Sequence, residues 1–326
     1  MARVEPSVLS AADAVDLAHA LVTAVGEAHG VRVLLIKGPG AAHHGLRPVR
    51  TSADADALVS PADLGTMRAA LEAAGWHERE GSELSHLFAT HSVTLIHPGW
   101  PCDIDLHTRF PGFLRDPAEV FEALWERREP LTLGGAQVSI PDRASAILIA
   151  GLHALRTPAQ TTRHGAEVRL LLARVLPTLD DAALSDLATL AAATGCQDTG
   201  RPFLEGFVPL PPSTPARVDP ALDLWRLRTG AGGVPAALHW QIITAAPWRE
   251  RPRMLWVALW RPEKDLRRDH PEIGPGRLAL ARGRLARLGR GLRGAPRIVA
   301  GVLGSRLGRT DRSLTRPGNP DAEARP

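Results

Sequence analysis

Arg50-Thr51-Ser52-Ala53-Asp54-Ala55-Asp56-Ala57-Leu58-Val59 is the stretch on which the fold turns. Its second half alternates polar and apolar positions, the period of a strand with one face buried. Asp54 and Asp56 then share one face, and Ala55 and Ala57 point the other way. Two carboxylates held that close repel each other, and each is driven toward protonation unless a cation stands between them. A divalent metal is the natural neutraliser, and magnesium favours hard carboxylate oxygens.

Working outward, a second stretch of this kind follows at Cys102–His107, where Asp103, Asp105 and His107 alternate with Cys102, Ile104 and Leu106. If the two strands are neighbours, three or four carboxylates converge on one spot. Such a ligand set suits two-metal phosphoryl transfer, in which the ions hold the attacking and leaving oxygens. Upstream, the aliphatic run Val31–Ile36 reads as a buried strand ending in a turn, Lys37-Gly38-Pro39-Gly40. Glycine there lets backbone N–H groups approach a phosphate. Lys37 is one of only two lysines among 39 basic residues, and its charge suits a triphosphate oxygen. Arg50 offers a planar fork of donors to the same group.

These residues together resemble the polymerase-β-like nucleotidyltransferase superfamily, and within it a bacterial family of uncharacterised nucleotidyltransferases. The resemblance rests on Ile36-Lys37-Gly38, on Arg50 with Asp54, Asp56, Leu58 and Val59, and on Asp105-Leu106-His107, and spans roughly residues 31–110. It implies that Asp54, Asp56 and Asp105 are catalytic and hold Mg2+ or Mn2+, with Asp105 polarising the acceptor hydroxyl. Lys37, Gly38, Arg50 and His107 become the candidate nucleotide-binding residues. Asp103 lies outside the matched motif and is held as a supporting carboxylate. The chain departs from the superfamily in carrying Gly38-Pro39 where Gly-Ser or Gly-Gly is usual, Ala55 between the aspartates and Thr108 after the histidine.

The remaining pattern sets the expected architecture: α+β, a small mixed sheet with helices packed on it, then a mainly helical C-terminal region. Residues 9–29 read as a helix capped by Ser10. Residues 60–75 read as a second, with Ser60 as cap, Pro61 at its first position and Asp63 completing a capping box. Strand candidates follow at Leu84–Thr90, Ser92–Ile96 and Cys102–His107. Beyond Asp142, Ala144, Ile147, Leu148, Gly151, Leu152 and Leu155 form a helical stripe, and 164–177 and 181–194 continue as helices. Residues 201–220 hold six prolines and read as a linker or a wrap across the surface, and 222–260 are Trp-rich and helical. The expected division is 1–140 for the nucleotidyltransferase-like part, 141–275 for a helical domain and 276–326 for a basic tail whose last fifteen residues are disordered.

Charge and composition narrow the classes. Residues 251–326 carry 18 Arg or Lys against 7 Asp or Glu, and residues 1–250 carry 21 against 28, so the net +4 conceals a basic tail on an acidic body. Leu278, Leu285, Leu288 and Leu292 can share a helical face there, but glycines 283, 289, 291 and 294 weaken a continuous helix. Two cysteines build no disulfide framework, and the N-terminus has acids where a signal peptide is apolar, so a cytoplasmic protein with no membrane span is expected. No G-x-x-x-x-G-K-[ST], G-x-S-x-G or H-E-x-x-H is present, and Gly38-Pro39-Gly40 is not followed by the third glycine of a Rossmann fingerprint. The expected activity is metal-dependent transfer of a nucleoside monophosphate from an NTP, taken as ATP, to a small-molecule, peptide or protein acceptor, with pyrophosphate leaving. The alternatives are a non-catalytic nucleotide-binding or scaffold module, or an RNA-directed nucleotidyltransferase whose tail holds phosphates. Oligomeric state and acceptor stay open.

Overall fold

The computed structural model describes residues 9–48, 52–80, 92–156, 161–215, 218–230, 239–240, 242–244 and 246–306. Helix α1 (Ala11–Ala28) begins at Ser10, whose side chain accepts the Asp13 N–H, and runs into strand β1 (Val33–Leu35). After the short helix α2 (Gly38–His43) come β2 (Asp54–Val59), α3 (Leu64–Ala73), β3 (His77–Glu78), β4 (Ser92–Ile96) and β5 (Asp103–His107). The five strands form one mixed sheet in the order β1-β2-β5-β4-β3, with only β2 and β5 parallel. Helix α4 (Pro117–Glu126) and a hairpin of β6 (Glu129–Leu133) and β7 (Ala136–Ile140) close this part.

The two faces of the sheet meet different surroundings. Ala55, Ala57 and Val59 of β2 and Ile104 and Leu106 of β5 pack with Ala14, Val15, Ala18 and Val22 of α1 and Met67 and Leu71 of α3. On the opposite face, Leu34, Ile36 and Leu58 join a core built by the C-terminal helices. The aspartates alternate with the first set, so the pleat sends them toward the helical region. That region comprises α5 (Arg143–Leu155), α6 (Thr161–Val175), α7 (Asp181–Ala193), the single turn α8 (Arg201–Leu204), α9 (Pro220–Gly230), α10 (Arg251–Leu259), α11 (Glu263–Asp269) and α12 (Arg277–Arg306). The α5 stripe packs closely because Gly151 has no side chain: a Cβ there would stand 2.4 Å from the Phe203 ring.

The α+β fold and helical C-terminal region agree with the sequence pattern, and several local readings are corrected. Lys37–Gly40 is the start of α2, not a free turn, and Pro39 sits in its first turn, where a missing N–H costs nothing. Ser60 makes no capping bond. The segment Pro61–Asp63 is a 3-10 turn, and the α-helix starts at Leu64. Helix α4 and the β6–β7 hairpin were not anticipated. The glycines of the tail do not interrupt α12, which runs through Gly283, Gly289 and Gly291. Leu84–Thr90 and residues 312–326 lie outside the described residues.

The proline-rich stretch after α8 is tied to the core. Phe203, Leu204, Phe207 and Val208 are buried, and Arg201 binds Asp198 while donating to the Pro211 carbonyl. Asp198 also accepts the Thr214 N–H at 3.1 Å. Burial pushes the Asp198 carboxyl up, but the bonds from Thr214 and Arg201 outweigh it and hold it below its ordinary value. The unfolded chain therefore binds more protons, and this contribution is complete above about pH 4 and lost as pH falls further. Asp198→Asn is expected to cost about 1.5–3 kcal/mol at neutral pH, the worth of hydrogen bonds to a charged group, since Arg201 keeps Glu205 and the Pro211 carbonyl as partners. In urea titrations the gap to wild type narrows as pH drops below about 4; a gap independent of pH would show that the ion pair is not the tie.

Candidate active site

The parallel pairing of β2 with β5 sets Asp54 beside Asp103, Asp56 beside Asp105 and Leu58 beside His107. The two acidic stretches are thus neighbouring strands. Asp56 is 5% exposed and is the centre of the cluster. Its Oδ1 accepts from Lys37 Nζ and lies 2.9 Å from His107 Nε2. Burial pushes the Asp56 carboxyl up, but the His107 hydrogen bond and the Lys37 charge outweigh it and hold it well below the usual carboxylate range. Asp105 goes the other way. Burial and the neighbouring charge of Asp56 raise it, against a hydrogen bond from Thr94 Oγ1 at 2.6 Å. Asp54 Oδ1 accepts from Ser52 Oγ at 2.8 Å.

Asp54, Asp56, Asp105, His107, Lys37 and Gly38 line one polar cavity of about 180 Å³. Within it, one atom each from Asp56, Asp105 and His107 lie within 4.8 Å of one another, close enough to share a cation. Asp54 borders the cavity outside that tight group. Asp103 is elsewhere, paired with Arg79 near the surface. Arg50 lies outside the described residues.

Lys37 reaches Asp56 through an unusual backbone. Its φ of 64° makes it the only non-glycine residue with positive φ among the described residues. Such a conformation costs of order 1–3 kcal/mol and persists only where the surroundings impose it. Gly38 follows with φ 41°, where a side chain would be strained. Beneath Gly38 lies His19 of α1, fully buried. Burial holds its imidazole below its ordinary value, against the opposing pull of a hydrogen bond to the Val15 backbone.

Ser52, Ser92, Arg47 and Arg156 also line the cavity and were not singled out from the sequence. His153, which lies off the apolar stripe of its helix, reaches the cavity from α5. Thr94 had a visible signal. Ser92 and Thr94 alternate on β4, and register opposes them to His107 and Asp105. Arg47 sits in a connection with no periodicity to mark it.

The donor set suits a hard divalent cation. Each of Asp54, Asp56 and Asp105 commits one oxygen to a protein donor and keeps a second with no protein donor among the described residues. Lys37 and His107 bond Asp56, and Arg47 and Arg156 line the same cavity, so the second oxygens of Asp54 and Asp105 are the atoms that suit a metal ion.

A family model for uncharacterised nucleotidyltransferases matches residues 9–198. The chain belongs to that family. The matched residues include both acidic strands, α2 and the helices that face them. Among solved structures, this nucleotidyltransferase family member is similar to the antibiotic-resistance factor ANT(2'')-Ia, at 18% identity over 55% of this chain and 89% of that one, with a TM-score of 0.37. An antigenic nucleotidyltransferase-like protein from Paracoccidioides brasiliensis gives 13% identity over 60% and 94%, with a TM-score of 0.36. No curated protein matches the chain. No helix among the described residues is long and apolar enough to cross a membrane.

The ion pair makes a prediction. Lys37 and Asp56 have side chains 13% and 6% exposed, so removing the cation leaves the buried carboxylate to His107. Lys37→Met is expected to lower unfolding free energy by about 3–5 kcal/mol in urea titrations. A loss under about 1 kcal/mol would mean that solvent screens the pair.

Proposed function

We propose that this chain transfers a nucleoside monophosphate from a nucleoside triphosphate, taken as ATP, to a hydroxyl of an acceptor, with pyrophosphate leaving. The observation that carries this reading is the convergence of Asp54, Asp56 and Asp105 on one polar cavity that also holds Lys37 and Gly38. In it, Asp54, Asp56 and Asp105 hold Mg2+ or Mn2+. The bound metal neutralises charge on the phosphates and makes the acceptor hydroxyl easier to deprotonate.

The protein's own groups do the positioning. His107 and Lys37 fix the Asp56 carboxylate in one orientation, so it meets a ligand without reorganising. Thr94 does the same for Asp105. Asp105 is the group that receives the acceptor proton as the acceptor oxygen bonds to the α-phosphorus and the bond to pyrophosphate breaks. Lys37 faces the cavity and supplies positive charge on the triphosphate side, and Gly38 lets the chain approach a phosphate without a side chain in the way. Arg47 stands at the same cavity and adds a planar donor fork. Arg50 is retained as a phosphate ligand on the sequence resemblance alone.

One observation favours a second reading. Lys37 and His107 already partner Asp56, so the cluster can persist as a nucleotide-binding module without turnover. The two readings part on pyrophosphate.

With Mg2+ and ATP over a broad acceptor panel, wild type is expected to release pyrophosphate, and chelation with EDTA abolishes it. Asp54→Asn and Asp105→Asn are expected to lower that rate at least 100-fold while thermal unfolding stays within a few degrees of wild type. Asp54 is the cleaner of the two because it is only half-buried and carries no ion pair among the described residues. Full turnover by Asp54→Asn would end the ligand assignment. Calorimetric binding of Mg2+ with a non-hydrolysable ATP analogue, with no pyrophosphate from ATP, would favour the module.

A further inference from the structure

A second cavity, of about 230 Å³, opens beside the carboxylate site and shares Lys37, Arg47 and His153 with it. Its character is opposite. Beyond those three residues and Glu167, the walls are aliphatic: Ala41 and Leu46 from the α2 side, Ala146, Ile149 and Ala150 from α5, and Leu171 from α6. Such a pocket gains free energy from apolar surface, and it penalises a polar edge that finds no partner there.

The geometry points to this cavity as the seat of the acceptor's aliphatic body, which makes the acceptor an amphipathic molecule with a hydroxyl at one end. The inference rests on the transfer reading above and names the substrate class it leaves open. Three observations support it. The two cavities adjoin, with Lys37, Arg47 and His153 in the wall of both, so one molecule reaching past those side chains keeps its polar end at Asp105 and its body among the aliphatic side chains. The volume exceeds the ~150 Å³ of a cavity that holds benzene, so a chain of roughly eight carbons has room. The nucleotide's base is a poor occupant. No Phe or Trp lines the cavity among the described residues, and beyond Lys37, Arg47, His153 and Glu167 its walls offer no side-chain donor or acceptor to a base's edges.

The test uses the full-length chain and the straight-chain primary alcohols from butanol to decanol as probes, with Mg2+ and a non-hydrolysable ATP analogue bound. Calorimetry is expected to show affinity rising about fourfold per methylene and levelling once the cavity is full. Two variants tie binding to the place. Ala150→Phe fills the cavity from α5. Leu170→Asp puts a charge at its rim, where the native side chain is 40% exposed and the fold tolerates change. Each is expected to weaken octanol binding at least tenfold while the nucleotide analogue binds as in wild type. Octanol affinity independent of chain length, or unchanged in Leu170→Asp, overturns the inference. So does displacement of octanol by adenosine, which would give the cavity to the base. If the analogue binds and the alcohols do not, only this inference falls. If the alcohols bind and the analogue does not, the transfer reading falls and takes the acceptor assignment with it.

Discussion

Like charges forced together are the constraint around which this molecule is arranged. Parallel pairing of β2 and β5 brings Asp56 beside Asp105, with Asp54 a pleat away. Water would screen such a group on an open surface, but here Asp56 is buried and screening is weak. The protein answers locally with one lysine, one histidine and one threonine. Lys37 takes up its position through a left-handed backbone that few residues adopt. A conformation costing a few kcal/mol is maintained because Ile36 before it is locked to β2 through the Asp56 carbonyl and α2 begins immediately after. The second carboxylate oxygens of Asp54 and Asp105 are left over at a cavity that Arg47 and Arg156 also line, and they are where a divalent cation is proposed.

Alternation does the rest of the placing. Ala55, Ala57, Ile104 and Leu106 anchor their strands against α1 and α3, and their alternate partners then have one direction available. A one-residue slip of β2 would turn Asp54 and Asp56 under α1, so register and the placing of the carboxylates are specified by the same apolar side chains. The helical region completes the site from the other side. Leu34, Ile36 and Leu58 belong to the same core as Ile147, Leu148 and Leu152 of α5, so His153 is delivered to the cavity by packing that begins in the sheet.

How much of this was legible in the sequence depended on the range of the signal. The two acidic strands were legible because a period of two residues is local, and the helices at 143–155 and 181–193 were legible because their stripes are long. Asp103 shares the alternation of Asp105 and yet pairs with Arg79, since the strand's first residue lies at the sheet rim, where a surface arginine reaches it. Periodicity does not distinguish those two fates. The nature of the Lys37–Gly40 segment was misread because Gly-Pro-Gly is turn chemistry by composition, whereas a helix of one and a half turns asks only that proline fall at its start. The tail was misread in the opposite direction. Glycine's cost of about 1 kcal/mol each in a helix is an average for isolated positions, and here Arg287 of α12 donates to the carbonyls of Ala258 and Leu259 and Arg284 to that of Arg261. Tertiary bonds of that kind leave no trace in a local pattern.

The polar and apolar cavities, separated by Lys37, Arg47 and His153, bear on each other energetically. A charged site open to bulk water on every side would lose most of its Coulomb energy to screening. An aliphatic compartment on one flank removes polarisable solvent from that flank whenever it is filled. Filling it therefore strengthens the interactions of Asp56 and Asp105 with any cation between them, without a change in either carboxylate. The coupling is reciprocal, because a ligand whose body displaces water from the apolar side and whose head meets the charged side draws on both terms at once. Water alone satisfies the polar cavity and gains little in the apolar one, so a ligand with a polar head and an apolar body has the advantage over solvent across the pair.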